Sequence, residues 1–493
     1  TTGPDPYHDH IIEVGAMVWQ DGAVTESFDE LVKSPVPLKP GIIKLTEITP
    51  AMLAAARAAD AVLADFLAFL PEDTLCIAHN AAFERAFLRK ATKDRFQHTV
   101  LDTVGLARIC FPRLPSHSLT VLREALDLPG TTSHRALGDC EALLQLWEKL
   151  LARAREIPLP VLAEINHLLK PRHRHPYRDF FQRLASDVMT TRFGKSNKTL
   201  EDLFDEQASW QPPPELPDDS EPPADLDREG IADLLGEGGP LAERLETFEP
   251  RAGQREMAAA VVDAFNQEKH LLVEAGTGIG KSLAYLVPAV LWATTNETPV
   301  VISTNTKNLQ AQLYHKDIPL VREALGLDFK SAIIKGRRNY LCLRKLFYVL
   351  HQADQELDNE ERMRMLNILP WAVWTDTGDI SENIVWDRPG FYGFWAKVST
   401  VGDECLGRGC RYQKRCFLRR ARQRALGADL VVANHSLVFA ELNMKSPALP
   451  PHRQIVFDEA HNLEAAATSH LSVELSQPRL HFALGRLFRK GRR

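Results

Sequence analysis

The sequence predicts an α/β protein of more than one domain, and three observations carry that prediction. Strand-like runs of β-branched residues alternate with amphipathic helical runs through residues 1–155, and the rhythm returns from about residue 241 onward. Between the two stretches lies "SWQPPPELPDDSEPPADLD", rich in proline and acids and poor in large apolar side chains. Such a segment cannot bury a core and reads as a linker. The 493 residues are also too many for one core, the soft prior being roughly three domains.

Composition narrows the class. Hydrophobic residues make up 44% and charged ones 25%, ordinary for a globular protein. A net charge of −6 gives no overall pull toward nucleic acid, so any basic surface must be local. No run of about 18 apolar residues predicts a membrane span. The visible N-terminus has neither a basic nor an apolar signal region, and the cytoplasm is the expected compartment. Cys76, Cys110 and Cys140 are scattered among apolar neighbours, whereas Cys342, Cys405, Cys410 and Cys416 gather in the last third. Clustered cysteines without an export signal point to a metal or cluster rather than to disulfides.

The first domain, residues 1–155, opens on "HIIEVGAMVW", a buried strand by its Ile11, Ile12, Val14, Ala16 and Val18. A second strand, "TLCIAHN", runs into "AHNAAFERAFL", which places His79, Asn80 and Glu84 together. "SHRALGDCEALL" sets His134 and Asp139 five residues apart as a helix begins, and the amphipathic "DCEALLQLWEKLLARA" closes the domain. Hydrolysis of a phosphodiester with two metals needs carboxylates to hold ions about 4 Å apart and a base to deprotonate water. A histidine just ahead of a carboxylate at a helix start can supply both.

On these residues the domain resembles the DnaQ-like (DEDDh) 3′→5′ exonucleases, which implies an RNase H-like fold. "HNAAFE" stands for the family's H-N-x-x-F-D, "HRALGD" matches its H-x-A-x-x-D, and "LDTVGLAR" with Asp102 resembles the segment between them. The resemblance implies Asp139 and Glu84 as ligands of Mg²⁺ or Mn²⁺, with His134 as general base. Glu84 replaces the family's Asp, moving the charge out by one methylene. The family's first motif, D-x-E-T-T-G, is represented only by Thr1-Thr2-Gly3, so the first strand and its two acids are expected to be missing. Residues 156–205 read as a helical connector and 206–240 as the linker.

From residue 241 the second domain repeats the α/β pattern. "HLLVEAGTGIGKSLAYLVPAVL" reads as strand, glycine-rich turn and helix. Gly276, Thr277, Gly278 and Gly280 let backbone N–H groups wrap phosphates, Lys281 reaches the β- and γ-phosphates, and Ser282 can ligate Mg²⁺. "RQIVFDEAHNLEAA" is an apolar strand ending in Asp458-Glu459-Ala460-His461, where Asp458 suits Mg²⁺ and Glu459 can polarise water.

Residues 245–493 resemble the first motor lobe of the DinG/XPD helicases of superfamily 2, which implies a RecA-like lobe that uses ATP. "FEPRAGQREMA" matches the adenine-side motif, implying Arg251 and Gln254 near the base. "STNTKNLQAQL" matches the segment that follows single-stranded DNA, implying Thr304, Asn305 and Gln310, and "DLVVANHSLV" resembles the strand leading to Asn434 and His435. Cys342 with Cys405, Cys410 and Cys416 fits an inserted module at about residues 335–420. Four thiolates suit zinc or iron–sulfur, and the C-x4-C-x5-C spacing favours [4Fe–4S], as the family resemblance implies. Arg408, Arg411, Lys414, Arg415, Arg419 and Arg420, with Tyr412 and Phe417 between them, suit a single-stranded DNA channel.

No second motor lobe follows Asp458 in this sequence, so the chain is expected to be an internal piece of a longer protein. The expected parent is an ATP-dependent DNA helicase joined to a 3′→5′ exonuclease, acting on single-stranded DNA and DNA junctions in repair or replication. Two rivals are a helicase whose first domain only holds DNA, and a non-catalytic remnant.

Overall fold

The computed structural model describes residues 1–20, 22–71, 74–129, 135–170, 175–191, 198–204, 222–245, 248–384, 390–400, 404–442 and 448–472, with positions 477, 480 and 484. His134 and most of the proline-rich stretch lie outside the described residues. Two units divide the chain: residues 1–205 with 341–399, and residues 206–340 with 400–493.

The first unit begins with strand β1 (Glu13–Gln20), paired antiparallel with β2 (Ala23–Leu31). Val14, Val32, Val62, Phe66, Phe96 and Val100 form one buried cluster beneath it. Strands β3 (Cys76–Ala78) and β4 (Val100–Asp102) run parallel as a separate pair. The helix Ala136–Arg155 lies against β1. Gly15 permits that approach, because a Cβ there would stand 2.6 Å from the Ala136 carbonyl carbon.

The boundary expected at residue 155 is not a structural one. In the helix Tyr177–Thr191, the Tyr177 hydroxyl donates to the Asp102 carbonyl at 2.7 Å, and Phe180 meets Trp147 with ring centres 5.6 Å apart. The connector therefore completes the first unit's core. So does residues 341–399, expected as part of a module of the motor lobe. Their helix Asn359–Trp374 packs on the helices Thr103–Cys110 and Leu159–Leu168. Arg362, 3% exposed, donates to the Leu168 and Ala353 carbonyls and pairs with Asp354 at 2.8 Å, which offsets part of the cost of burying its charge.

The second unit is built on a parallel sheet of β5 (Val300–Thr304), β6 (Ser331–Ile333), β7 (Leu430–Asn434) and β8 (Gln454–Phe457), in the spatial order β6-β7-β5-β8. Strands β5 and β7 are buried along almost their whole length, as strands covered on both faces should be. The helices Ala252–Asn266 and Lys281–Thr295 cover them, with Phe265 and Trp292 in edge contact at 5.6 Å.

One expected strand is missing here. Residues 271–275, ahead of the glycine-rich turn, form no regular element and make no ladder, and Leu272 is 89% exposed. Among the described residues β8 pairs only with β5, and Leu271, Leu272 and Val273 expose their apolar side chains.

Candidate functional sites

In the first unit, Asp102 organises the loops around the carboxylates. Its carboxylate caps the helix Thr103–Cys110 through the Val104 N–H (2.9 Å) and also accepts the Asn80 N–H (3.1 Å). Asn80 heads the helix Ala81–Ala91 in the left-handed region at φ 70°, a conformation that asparagine tolerates better than most residues. That helix carries Glu84 in its first turn. His79 Nδ1 lies 3.0 Å from Thr103 Oγ1, and Thr103 in turn donates to the Ala78 carbonyl. Burial lowers the pKa of His79, opposed by the nearby Asp102 charge.

Asp139 stands in the first turn of the helix Ala136–Arg155, which has no side-chain cap of its own. Glu13, on β1, takes that role. Its carboxylate accepts the Ala136 N–H at 2.9 Å and binds Arg135 at 2.6 and 2.7 Å. Sequence reasoning passed over Glu13, although an acid inside so apolar a strand was the available signal.

Glu84 reaches solvent through a cavity, yet protein crowds most of its sides. That crowding raises its carboxyl pKa; the Thr1 ammonium opposes the shift and the Asp139 charge adds to it. Like-charged carboxylates in a desolvated place suit a divalent cation, whose charge would reverse both effects. Among the described residues no three His, Cys, Asp or Glu side chains come together as a metal-holding group. The cavity itself measures about 730 Å³. β1 and β3 both contribute to its walls, and Glu84, Asp139, His79 and Cys140 also line it. Among the described residues no ladder bonds join the two strand pairs.

In the second unit, Gly278 and Gly280 take φ values of 86° and 84°, which only glycine adopts without strain, and Lys281 begins the helix behind them. Lys281 Nζ lies 3.3 Å from the Ala275 carbonyl and 3.7 Å from Glu459. Tyr285, one turn along from Ser282, donates its hydroxyl to Asp458 at 3.2 Å. Burial raises the Asp458 pKa, and Glu459 adds to it while Tyr285 and Lys281 oppose it. Glu459 is held at φ 57°, an uncommon backbone for a non-glycine residue and one often found where strain serves a site. Beneath this loop, Asp458 donates its N–H to the Ser303 carbonyl, and the Ser303 hydroxyl meets His435 Nδ1 at 2.7 Å. The two predicted phosphate-site segments thus meet at one place.

Other expected residues are placed differently. The Gln254 amide, expected near an adenine, is buried and donates to the Gly280 carbonyl at 2.9 Å, so it braces the turn. Arg251 pairs with Glu249 at the surface. Thr304 and Gln310, expected along DNA, are both fully buried because one ends an interior strand and the other faces inward from a short helix; Asn305 is exposed. Tyr412 and Phe417 are also buried, at 7% and 2%, which removes their faces from any strand of bases. Arg411 and Arg420 lie over these two rings.

The four clustered cysteines are divided: Cys342 caps a helix of the first unit, and the other three belong to the second. Cys410 and Cys416 each follow a 3₁₀ turn, Gly407–Gly409 and Gln413–Arg415, and none of the seven cysteines is in a disulfide.

The exonuclease family RNase_T matches residues 1–147, and the DEAD/DEAH box helicase family matches residues 253–355. The 3′-5′ exonuclease DinG of Bacillus subtilis (strain 168) is 31% identical over 519 residues, covering 99% of this chain and 52% of that protein. The ATP-dependent DNA helicase YoaA of Haemophilus influenzae is 37% identical, covering 51% of this chain and 39% of that protein. The ATP-dependent helicase DinG of Mycobacterium tuberculosis (strain H37Ra) is 41% identical, covering 48% of this chain and 38% of that protein. The chain spans about half, or less, of the length of these curated relatives. Along the sequence an exonuclease-family match precedes a DEAD/DEAH box helicase-family match, and over 99% of its length the chain is similar to a DinG protein.

Proposed function

We propose that the protein of which this chain is the described part is an ATP-dependent DNA helicase joined to a 3′→5′ exonuclease, with a role in DNA repair or replication. The observation that carries the helicase half is the meeting of Lys281, Ser282 and Tyr285 with Asp458 and Glu459, including the 3.7 Å approach of Lys281 to Glu459. In this reading Lys281 holds the β- and γ-phosphates, Ser282 and Asp458 hold Mg²⁺, and Glu459 accepts a proton from the attacking water. Bound Mg²⁺ supplies charge neutralisation. Asn305 and the exposed basic residues Arg408, Arg411 and Lys414 are the groups placed to grip single-stranded DNA without reading its sequence.

For the exonuclease half, Glu84 and Asp139 are the proposed ligands of Mg²⁺ or Mn²⁺ and His134 the proposed base. An extended strand bearing two further acids would suit the cavity that β1 and β3 help to line, since among the described residues each of these strands pairs with one neighbour only. Cys342, Cys405, Cys410 and Cys416 are the proposed thiolate ligands of a [4Fe–4S] cluster; the C-x4-C-x5-C spacing of the last three supports it.

Nucleotide binding tests the motor directly. Lys281→Ala should weaken MgATP binding by about 10- to 150-fold, the loss of one charge-assisted hydrogen bond at roughly 1.5–3 kcal/mol. Unchanged affinity in a titration calorimeter would sink the motor reading.

A further inference from the structure

Residues 341–399 grip the first unit at the C-terminal ends of two of its helices. Trp374 lies beneath the Arg153 guanidinium, 3.9 Å from carbon to ring centre, and Arg153 donates from Nε to the Cys110 carbonyl at 3.3 Å. Ile384 donates its N–H to the Pro112 carbonyl at 2.9 Å. Arg113 pairs with Glu382 at 3.1 Å, and Glu382 also accepts the hydroxyls of Thr375 and Thr377. These contacts hold the far ends of the helices Thr103–Cys110 and Ala136–Arg155.

The near ends of the same two helices bear on the carboxylates. The first begins at Asp102, whose side chain fixes Asn80 and so the start of the helix carrying Glu84. The second carries Asp139 in its first turn. A hydrogen-bonded helix is a stiff rod, so holding one end restricts where the other stands. Metal and nucleophile geometry is lost with displacements on the order of 1 Å.

We propose that residues 341–399 are a positioning element for this carboxylate site. By holding the C-terminal ends of both helices, Trp374, Glu382 and Ile384 set where Glu84 and Asp139 stand. The motor's own sequence, interrupted between Tyr340 and Thr400, supplies this support, so the nuclease site is formed in register only when the inserted residues are docked. The claim rests on the reading of Glu84 and Asp139 as the metal-bearing pair.

Amide hydrogen exchange on the full chain tests it. Glu382→Lys should speed exchange of the Asn80 amide and of the helix Thr103–Cys110 by about tenfold, with β5–β8 unchanged. Reversal of the pair, Arg113→Glu with Glu382→Arg, should restore slow exchange. Trp374→Leu should loosen the first turn of Ala136–Arg155 in the same way. Faster exchange confined to residues 341–399, or no recovery in the reversed pair, overturns the proposal. Glu84→Gln separates the two claims: Mg²⁺-dependent digestion of single-stranded DNA unaffected by it refutes the carboxylate reading, while exchange still decides the docking.

Discussion

Glu84 and the buried cysteines make predictions at the scale of single residues. Crowding raises the Glu84 pKa above its ordinary 4.5, so the folded chain holds that proton more tightly than the unfolded one. Its contribution is fully present below the unfolded value and lost as pH rises through the folded value. Glu84→Gln removes the titration. Urea midpoints taken from about pH 4 to about pH 7 should therefore fall less steeply for the variant than for the parent, and parallel slopes would contradict the assignment. Thiol reactivity should follow surroundings. Burial pushes Cys110 and Cys140 up to about 12 and Cys76 to about 11, whereas Cys405 is exposed. With metal removed, iodoacetamide read by peptide mass spectrometry should label Cys405 first and Cys110 only on unfolding. At this scale motif spacing named Lys281, Asp458 and Glu459 from segments far apart in sequence, and the fold sets Lys281 3.7 Å from Glu459. The partners of Glu13 and Tyr177 were not legible, since they lie 123 and 75 residues away in sequence.

Elements depend on neighbours that a local reading does not see. The turn at Gly278 and Gly280 was readable because the needed φ excludes other residues. The strand expected before it was not realised: residues 271–275 carry no ladder and Leu272 is exposed. The same limit applies to the segment containing Thr304 and Gln310. Its polar side chains suit phosphate contacts, but burial is set by how the strand and helix are covered, and both are enclosed. Gly15 gives a test of element packing. Gly15→Ala places a methyl against the backbone of the Asp139 helix and should destabilise the first unit by about 1–3 kcal/mol, measured by urea unfolding. A neutral effect would mean that the helix can retreat freely from β1.

For the whole molecule, the division of the chain matters more than its linear order. The first unit is discontinuous, with Arg362, Trp374 and Ile384 closing its surface from residues far along the chain. A chain ending at Asp205 lacks them and uncovers apolar side chains on the helices they pack against. It should be less stable than the same region within the full chain by about 2–5 kcal/mol, the range for uncovering one or two buried aliphatic or aromatic side chains. Equal protection of residues 1–205 in both settings, read by hydrogen exchange, would show that the inserted residues add nothing.

The sequence by itself determined the two α/β regions and their order. Glycine-rich turns, acid pairs and amphipathic periods are local properties, and local steric and electrostatic needs fix them. Tertiary structure alone decided which unit residues 156–205 and 341–399 complete, that Glu13 caps the Asp139 helix, and that Gln254 and Gln310 turn inward. Those outcomes follow from apolar surfaces meeting across long stretches of chain, and burial of such surface is non-directional, so no short pattern encodes which distant partner will cover it.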